Sequence, residues 1–310
     1  MTDPAILAAQ AATHWPGITG PPRLFMQREN VVFRVDTTQG PHALRLHRPG
    51  YHSDAALHSE LDLMAMLAGK GVLVPRPMPA RNTALLVKVG DRHASLLSWL
   101  PGTPMGRSGE PLTLTGPART DLFRAIGTQM ASLHVLTDAW TPPASFTRPH
   151  WNRDGLVGEM PFWGPFWNRG DSQLLTRVRD HARAVLDKAP AQDIGLIHAD
   201  LVNGNVLLDG PRVHFIDFDD SGFGYRLFDL ATTLYKAVDE PDFHDLRAAL
   251  LNGYATHRPL PDLTLLPLFI VLRSLTYLGW IATRADEPGM AARAEHYLAI
   301  ARRQIATYLT

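Results

Sequence analysis

Cysteine is absent from this 310-residue chain, which excludes disulfides and thiolate metal sites and leaves the redox compartment unread. An excess of one charge is missing too. Thirty basic and thirty acidic residues cancel, so no bulk field gathers nucleic acid or an anionic membrane surface. Neither internal repeats nor low-complexity tracts occur. The opening residues, MTDPAILAAQAATHWPG, lack a basic region followed by a proper apolar stretch, so no secretory signal is expected and the cytoplasm is the default location. Only residues 264–282 approach membrane-spanning length, and Pro267 and Arg273 within them favour a buried helix over a span. What remains is 45% hydrophobic residues, ample for a core in one large domain or two lobes.

Residues 31–36 and 42–47 are alternating or apolar runs around a Thr-Thr-Gln-Gly-Pro turn, which predicts a β-hairpin. Ser53 or Asp54 is placed to cap a helix running to about Leu67, with Leu57, Leu61, Met64 and Ala68 on one face. Residues 83–89 and 93–99 predict two more strands about Gly90-Asp91. The turn-rich 100–104 then ends the sheet-forming part. Helical periodicity follows at 121–133, 173–189, 226–238, 242–254, 264–283 and 290–308. Boundaries are expected at 1–97 for a sheet-rich lobe, 98–104 for a hinge and 105–310 for a helical lobe, with a ligand cleft between the lobes.

One interruption of the helical half carries the chemistry. Asp209-Gly210 predicts a tight turn between 206–208 and 213–216, so Asn205 before the first strand and Asp217 after the second fall at the hairpin's open end. An amide oxygen and a carboxylate there suit a hard cation such as Mg²⁺. Asp200, in the preceding loop, is placed to orient a substrate hydroxyl and accept its proton. The run from His198 to Asn205 follows the kinase catalytic-loop pattern, and Asp217-Phe218-Asp219 comes twelve positions after Asn205. The alternative is an Asx-rich loop satisfying its own backbone. His198 is read as a structural histidine. In the first half, Arg45 stands where the kinase pattern puts a strand lysine, and Glu60 on the core side of its helix needs a cationic partner. A Gly-x-Gly-x-x-Gly loop is lacking, so residues 25–30 would cover the phosphates by other contacts.

The strings Glu29–Val35, Leu44–Pro49, Ser59–Leu61, Ile197–Asn205, Ile216–Asp219 and Phe228–Ala231 resemble the aminoglycoside phosphotransferase and choline kinase superfamily. Within it, the chain is most similar to the branch of homoserine kinase type II, hydroxylysine kinase and stress response kinase A. The resemblance implies an α+β, protein-kinase-like fold with a small antiparallel-sheet lobe and a larger helical one. It implies ATP as donor, Mg²⁺ on Asn205 and Asp217, and Asp200 as base. Arg45 and Glu60 would position the phosphates, and Ser98, Trp99 and Leu100 would meet adenine at the hinge. Asp229 would brace the catalytic loop, while Asp219 would serve the metal, the substrate or its own loop.

For the acceptor, Trp140, Trp151, Trp163 and Trp167 are offered either as a substrate wall or as core. Arg148, Arg153 and Arg169 outnumber Asp154 and Glu159 there, which disfavours a polycationic aminoglycoside. Arg148 or Arg153 would instead meet the carboxylate of a hydroxy amino acid. The expected activity is thus phosphoryl transfer to a small-molecule alcohol such as homoserine or hydroxylysine. The alternatives are a protein Ser/Thr kinase of the stress response kinase A type, an aminoglycoside phosphotransferase and a pseudokinase. Oligomeric state is not read.

Overall fold

A computed structural model describes residues 2–28, 30–106, 112, 114–168, 172–189, 193–287 and 289–309; Glu29 and Arg169 of the sequence reading lie outside them. The first helix, α1 (Pro4–Ala12), starts where the Asp3 carboxylate accepts from Ala5 N at 2.8 Å. Six strands and one helix follow: β1 (Arg23–Gln27), β2 (Val31–Thr37), β3 (Gly40–Leu46), α2 (Asp54–Gly69), β4 (Pro77–Met78), β5 (Val87–Val89) and β6 (Arg92–Ser98). They form an antiparallel sheet of order β1-β2-β3-β6-β4, with β5 also on β6. On β2 the period of two sends Val31, Phe33 and Val35 into a core shared with Leu7, Trp15, Leu44 and Leu96.

Three elements of this lobe, α1, β1 and the two-residue β4, were not expected, and one expected strand is shorter than read. On β1, Leu24 and Phe25 are exposed and give no burial alternation to read. The strand expected over residues 83–89 shrinks to Val87–Val89, because Thr83 turns the chain with φ +67° and donates its N–H to Ala80 O.

The second half runs β7 (Thr103–Pro104), α3 (Pro117–Asp138), β8 (His150–Trp151), α4 (Arg153–Val157), α5 (Ser172–Lys188), β9 (Ile194–Ile197), β10 (Val206–Asp209), β11 (Arg212–Phe215), β12 (Gly222–Tyr225), α6 (Arg226–Tyr235), α7 (Phe243–Ala255), α8 (Leu266–Ala282) and α9 (Met290–Leu309). The expected hairpin is present, in the register Val206↔Phe215 to Asp209↔Arg212, and β7 adds to its edge. Gly102 makes that addition possible: its φ is +106°, and a Cβ there would meet Leu208 O at 2.4 Å. A second small sheet, β8-β12-β9, was not expected. Its Gly-rich strand β12 offers no periodic pattern.

The larger core joins α3, α6, α7 and α8 and takes in the inner face of α2 through Leu57, Leu61, Met64 and Leu67. The segment Leu263–Ala282 is long and apolar enough to cross a membrane, yet 72% of its most apolar window is buried inside the protein. That matches the reading of a core helix.

Candidate active site

The loop from His198 to Asn205 leaves β9 and enters β10, and its geometry fixes an amide. Asn205 Nδ2 donates to Asp200 O and Asp200 Oδ2, both at 2.8 Å. Two oxygen acceptors can face only the NH₂ side, so the amide oxygen is turned away from Asp200 and has no partner among the described residues. Ile216 N donates to Asn205 O at 3.0 Å, which closes the hairpin and starts Asp217 at the same open end. Asp217 adopts φ +67°, unusual for a non-glycine residue, and stays exposed to the cleft. Crowding by protein atoms and the charge of Asp219 push its carboxyl up to about 7, against the pull of Arg45. A carboxylate and a bare amide oxygen beside further acids suit a hard, oxygen-binding cation, so the residues present fit Mg²⁺.

Beneath the loop lies a buried polar chain. Asp229, in the first turn of α6, accepts from His198 N at 2.9 Å and Ala199 N at 2.7 Å, holding Ala199 at φ +68°. His134 of α3 reaches Asp229 Oδ2 at 3.1 Å through Nε2, and its Nδ1 meets Tyr254 OH of α7 at 2.9 Å. Burial alone would raise the Asp229 carboxyl, but its hydrogen bonds and the neighbouring histidines hold it below the usual range. His198 Nδ1 accepts from Asp200 N while Nε2 donates to Ile216 O, which defines a neutral tautomer; burial lowers its pKa. Both ring nitrogens are thus engaged by backbone groups of the loop and its hairpin, the place a structural histidine was expected to take. The brace from Asp229 is also where it was looked for.

On the opposite wall, Arg45 Nη2 and Glu60 Oε1 are 2.7 Å apart, with both side chains buried. Arg45 Nε and Glu60 Oε2 are left without partners, and Asp217 and Asp219 lie within electrostatic reach of the guanidinium. His47, Glu60 and Asp219 bring ligand atoms within 4.8 Å of one another. Ser98 ends β6 and its Oγ accepts from Arg76 N at 2.9 Å. Trp99 packs edge-on against the exposed Phe25 of β1 at 4.8 Å and under Arg34 at 5.3 Å. Trp99 and Leu100 are half-buried, at the start of the turn into β7.

The acceptor residues chosen from sequence have other partners. Arg148 is buried and donates to the carbonyls of Ala56, Phe218, Asp219 and Ser221, tying α2 to the metal-side loop. Trp151 is fully buried and donates to Asp220 O, and Arg153 lies on the surface with Asp154 and Asp187. Neither arginine is left to meet an acceptor, because carbonyls or surface carboxylates already occupy both. Of the four tryptophans offered for the acceptor, Trp151 reaches the Asp220 carbonyl and Trp163 the Asp220 side chain: Trp163 Nε1 donates to Asp220 Oδ1 at 3.2 Å and its ring lies 4.8 Å from the Arg273 guanidinium.

Arg273, on α8, was read only as a charge that argues against a membrane span. It donates to Asp200 Oδ1 and, at 3.1 Å, to Tyr277 OH. A lone arginine in an apolar run was the available signal. Asp220 was not singled out either. Its Oδ1 takes Tyr51 OH from the sheet lobe at 3.2 Å as well as Trp163. Burial, then Asp200 and Asp219, raise its carboxyl well above the usual range.

A sheet lobe over a helical lobe, with a loop aspartate, an asparagine and an aspartate at the open end of one hairpin, and a buried Arg–Glu pair, is the arrangement of a kinase-like phosphotransferase. The chain matches the model of the phosphotransferase enzyme family (APH) over residues 26–263, and it belongs to that family. It is 30% identical to a homoserine kinase of Brucella anthropi over 244 residues, 75% of this chain and 68% of that one. The solved structure of a microcompartment-associated aminopropanol kinase superposes with a TM-score of 0.83 at 32% identity, covering 98% of this chain and 97% of the other. Amicoumacin kinase in complex with AMP-PNP, Ca²⁺ and Ami shares the fold, with a TM-score of 0.79 at 19% identity over 97% of this chain and 94% of that one. The chain is thus a small-molecule kinase, transferring a phosphoryl group to a hydroxyl.

Proposed function

We propose that the chain transfers the γ-phosphoryl group of ATP to the hydroxyl of a small amine-bearing alcohol, a hydroxy amino acid such as homoserine or hydroxylysine. The observation that carries the mechanism is the Asn205 amide, which points its two hydrogens at Asp200 and so leaves its oxygen for a metal. Asp200 accepts the proton of the acceptor hydroxyl as that oxygen bonds to the γ-phosphorus and the bond to the β–γ bridging oxygen breaks, releasing ADP. Mg²⁺ on Asn205 and Asp217 would neutralise charge on the β- and γ-phosphates. Arg45, held by Glu60, supplies a second cation there, and Ser98, Trp99 and Leu100 take the adenine. On this reading residues 1–97 hold nucleotide, 98–104 are the hinge and 105–310 carry the acceptor. A donor of this kind fits the cytoplasm.

An amine on the acceptor is supported by Asp220, an acid within electrostatic reach of Asp200 whose side chain meets two neutral donors and no ion-pair partner among the described residues, so that an ammonium group would hold it ionised. Homoserine and aminopropanol, named in two of the relatives, are both short alcohols with an amine. The test is a coupled ADP-release assay with homoserine, hydroxylysine, 1-amino-2-propanol, kanamycin and a mixed protein substrate. The reading predicts turnover with at least one amino alcohol or hydroxy amino acid. Turnover confined to kanamycin or to protein would replace it.

A further inference from the structure

Among the described residues, the buried cations have anionic or carbonyl partners, with one half-buried exception near the acceptor side. Arg45, Arg119, Arg226 and Arg273 each reach a carboxylate, and Arg148 reaches four carbonyls. Lys236, at the C-terminus of α6, is half-buried, hydrogen-bonds to Tyr297 and forms no ion pair with a carboxylate among the described residues. Its Nζ instead sits 5.0, 5.0 and 5.1 Å from the ring centroids of Tyr235, Tyr277 and Tyr297. Those rings are themselves packed, Tyr277 on Tyr297 at 4.5 Å and on Tyr235 at 5.6 Å. Ring faces attract an ammonium ion and fix its place without neutralising it.

The place is specific. Arg273 donates both to Asp200 and to Tyr277 OH, so two side chains in series connect the base to the Lys236 cage. On the other flank of Arg273, Trp163 leads to Asp220. A carboxylate for an ammonium group and an ammonium for a carboxylate therefore flank the aspartate that receives the hydroxyl.

We propose that Lys236 binds the acceptor's carboxylate and so selects a hydroxy amino acid over the amino alcohol that lacks one. This rests on the acceptor reading above. The experiment measures kcat and KM for L-homoserine and for 3-amino-1-propanol, its analogue without the carboxylate, in wild type, Lys236→Met and Lys236→Arg. Wild type is expected to prefer homoserine. Loss of a charge-assisted contact in Lys236→Met is expected to raise the homoserine KM about ten- to a hundredfold. The kcat, the KM for ATP and the KM for 3-amino-1-propanol stay near wild type, and Lys236→Arg recovers part of the loss. Equal use of both acceptors by wild type, or equal loss on both in Lys236→Met, overturns the assignment. Use of 3-amino-1-propanol alone overturns it while sparing the acceptor reading, and use of neither overturns it and, where hydroxylysine and 1-amino-2-propanol are also left unused, the acceptor reading with it.

Discussion

Each of the two key aspartates makes a separate prediction. Asp200→Asn keeps one acceptor oxygen, enough for Arg273 or for Asn205 but not both, and has no base, so turnover falls about 10²–10⁴-fold while Mg²⁺-nucleotide affinity falls far less. Asp217→Ala removes a carboxylate proposed to hold Mg²⁺, so Mg²⁺-dependent nucleotide binding should be lost. Calorimetry on both variants checks this, and equal loss of binding would contradict the separate roles. Asp217 also sets a pH trend. Its carboxyl at about 7 lies above the unfolded value near 3.9. The stability it contributes is therefore complete below the unfolded value and disappears as pH rises through about 7. Mg²⁺ must displace that proton, so the rise in Tm on adding Mg²⁺ should be larger at pH 8 than at pH 6, and Asp217→Asn should abolish the difference. A shift independent of pH would contradict metal binding at Asp217. These residues were legible because the catalytic chemistry demands fixed spacing about one short hairpin. Arg273, Asp220 and Lys236 were not, since each comes from a different helix or turn and has no motif around it.

Elements hold the loop through Asp229. Its carboxylate serves two backbone donors and, through His134 and Tyr254, joins α6 to α3 and α7. Asn at this position turns an NH₂ toward one of those donors, leaving a buried group unpaired at about 1–3 kcal/mol. Asp229→Asn should lower both Tm and kcat; calorimetry and steady-state kinetics on one preparation check the coupling, and a fall in Tm with kcat unchanged would contradict the brace. At the turn into β7, Gly102→Ala places a Cβ against Leu208 O in a backbone conformation that disfavours it, and should destabilise the junction. The helices of the second half were legible from their apolar period, whereas β1 and the β8-β12-β9 sheet were not. An exposed edge strand has no buried face to alternate, and short strands set by long-range pairing leave little local pattern.

At the scale of the whole molecule, the two lobes meet through polar ties: Arg148 to Ala56 O, Ser59 Oγ accepting from Thr147 N, and Tyr51 to Asp220. The composition foretold a core and the resemblance foretold the two-lobe fold, but such ties depend on residues nearly a hundred or more positions apart and no local signal announces them. They bring the Arg45–Glu60 pair, the Asp217 loop and Asp220 together between the lobes. The most direct measurement follows labelled γ-phosphate from Mg·ATP into a pooled hydroxy-metabolite extract and a protein extract side by side, with wild type and Asp200→Asn. The account predicts label in a small amine-bearing molecule with wild type and none with the variant. Asp200-dependent label in protein alone, or label that Asp200→Asn leaves intact, would contradict it.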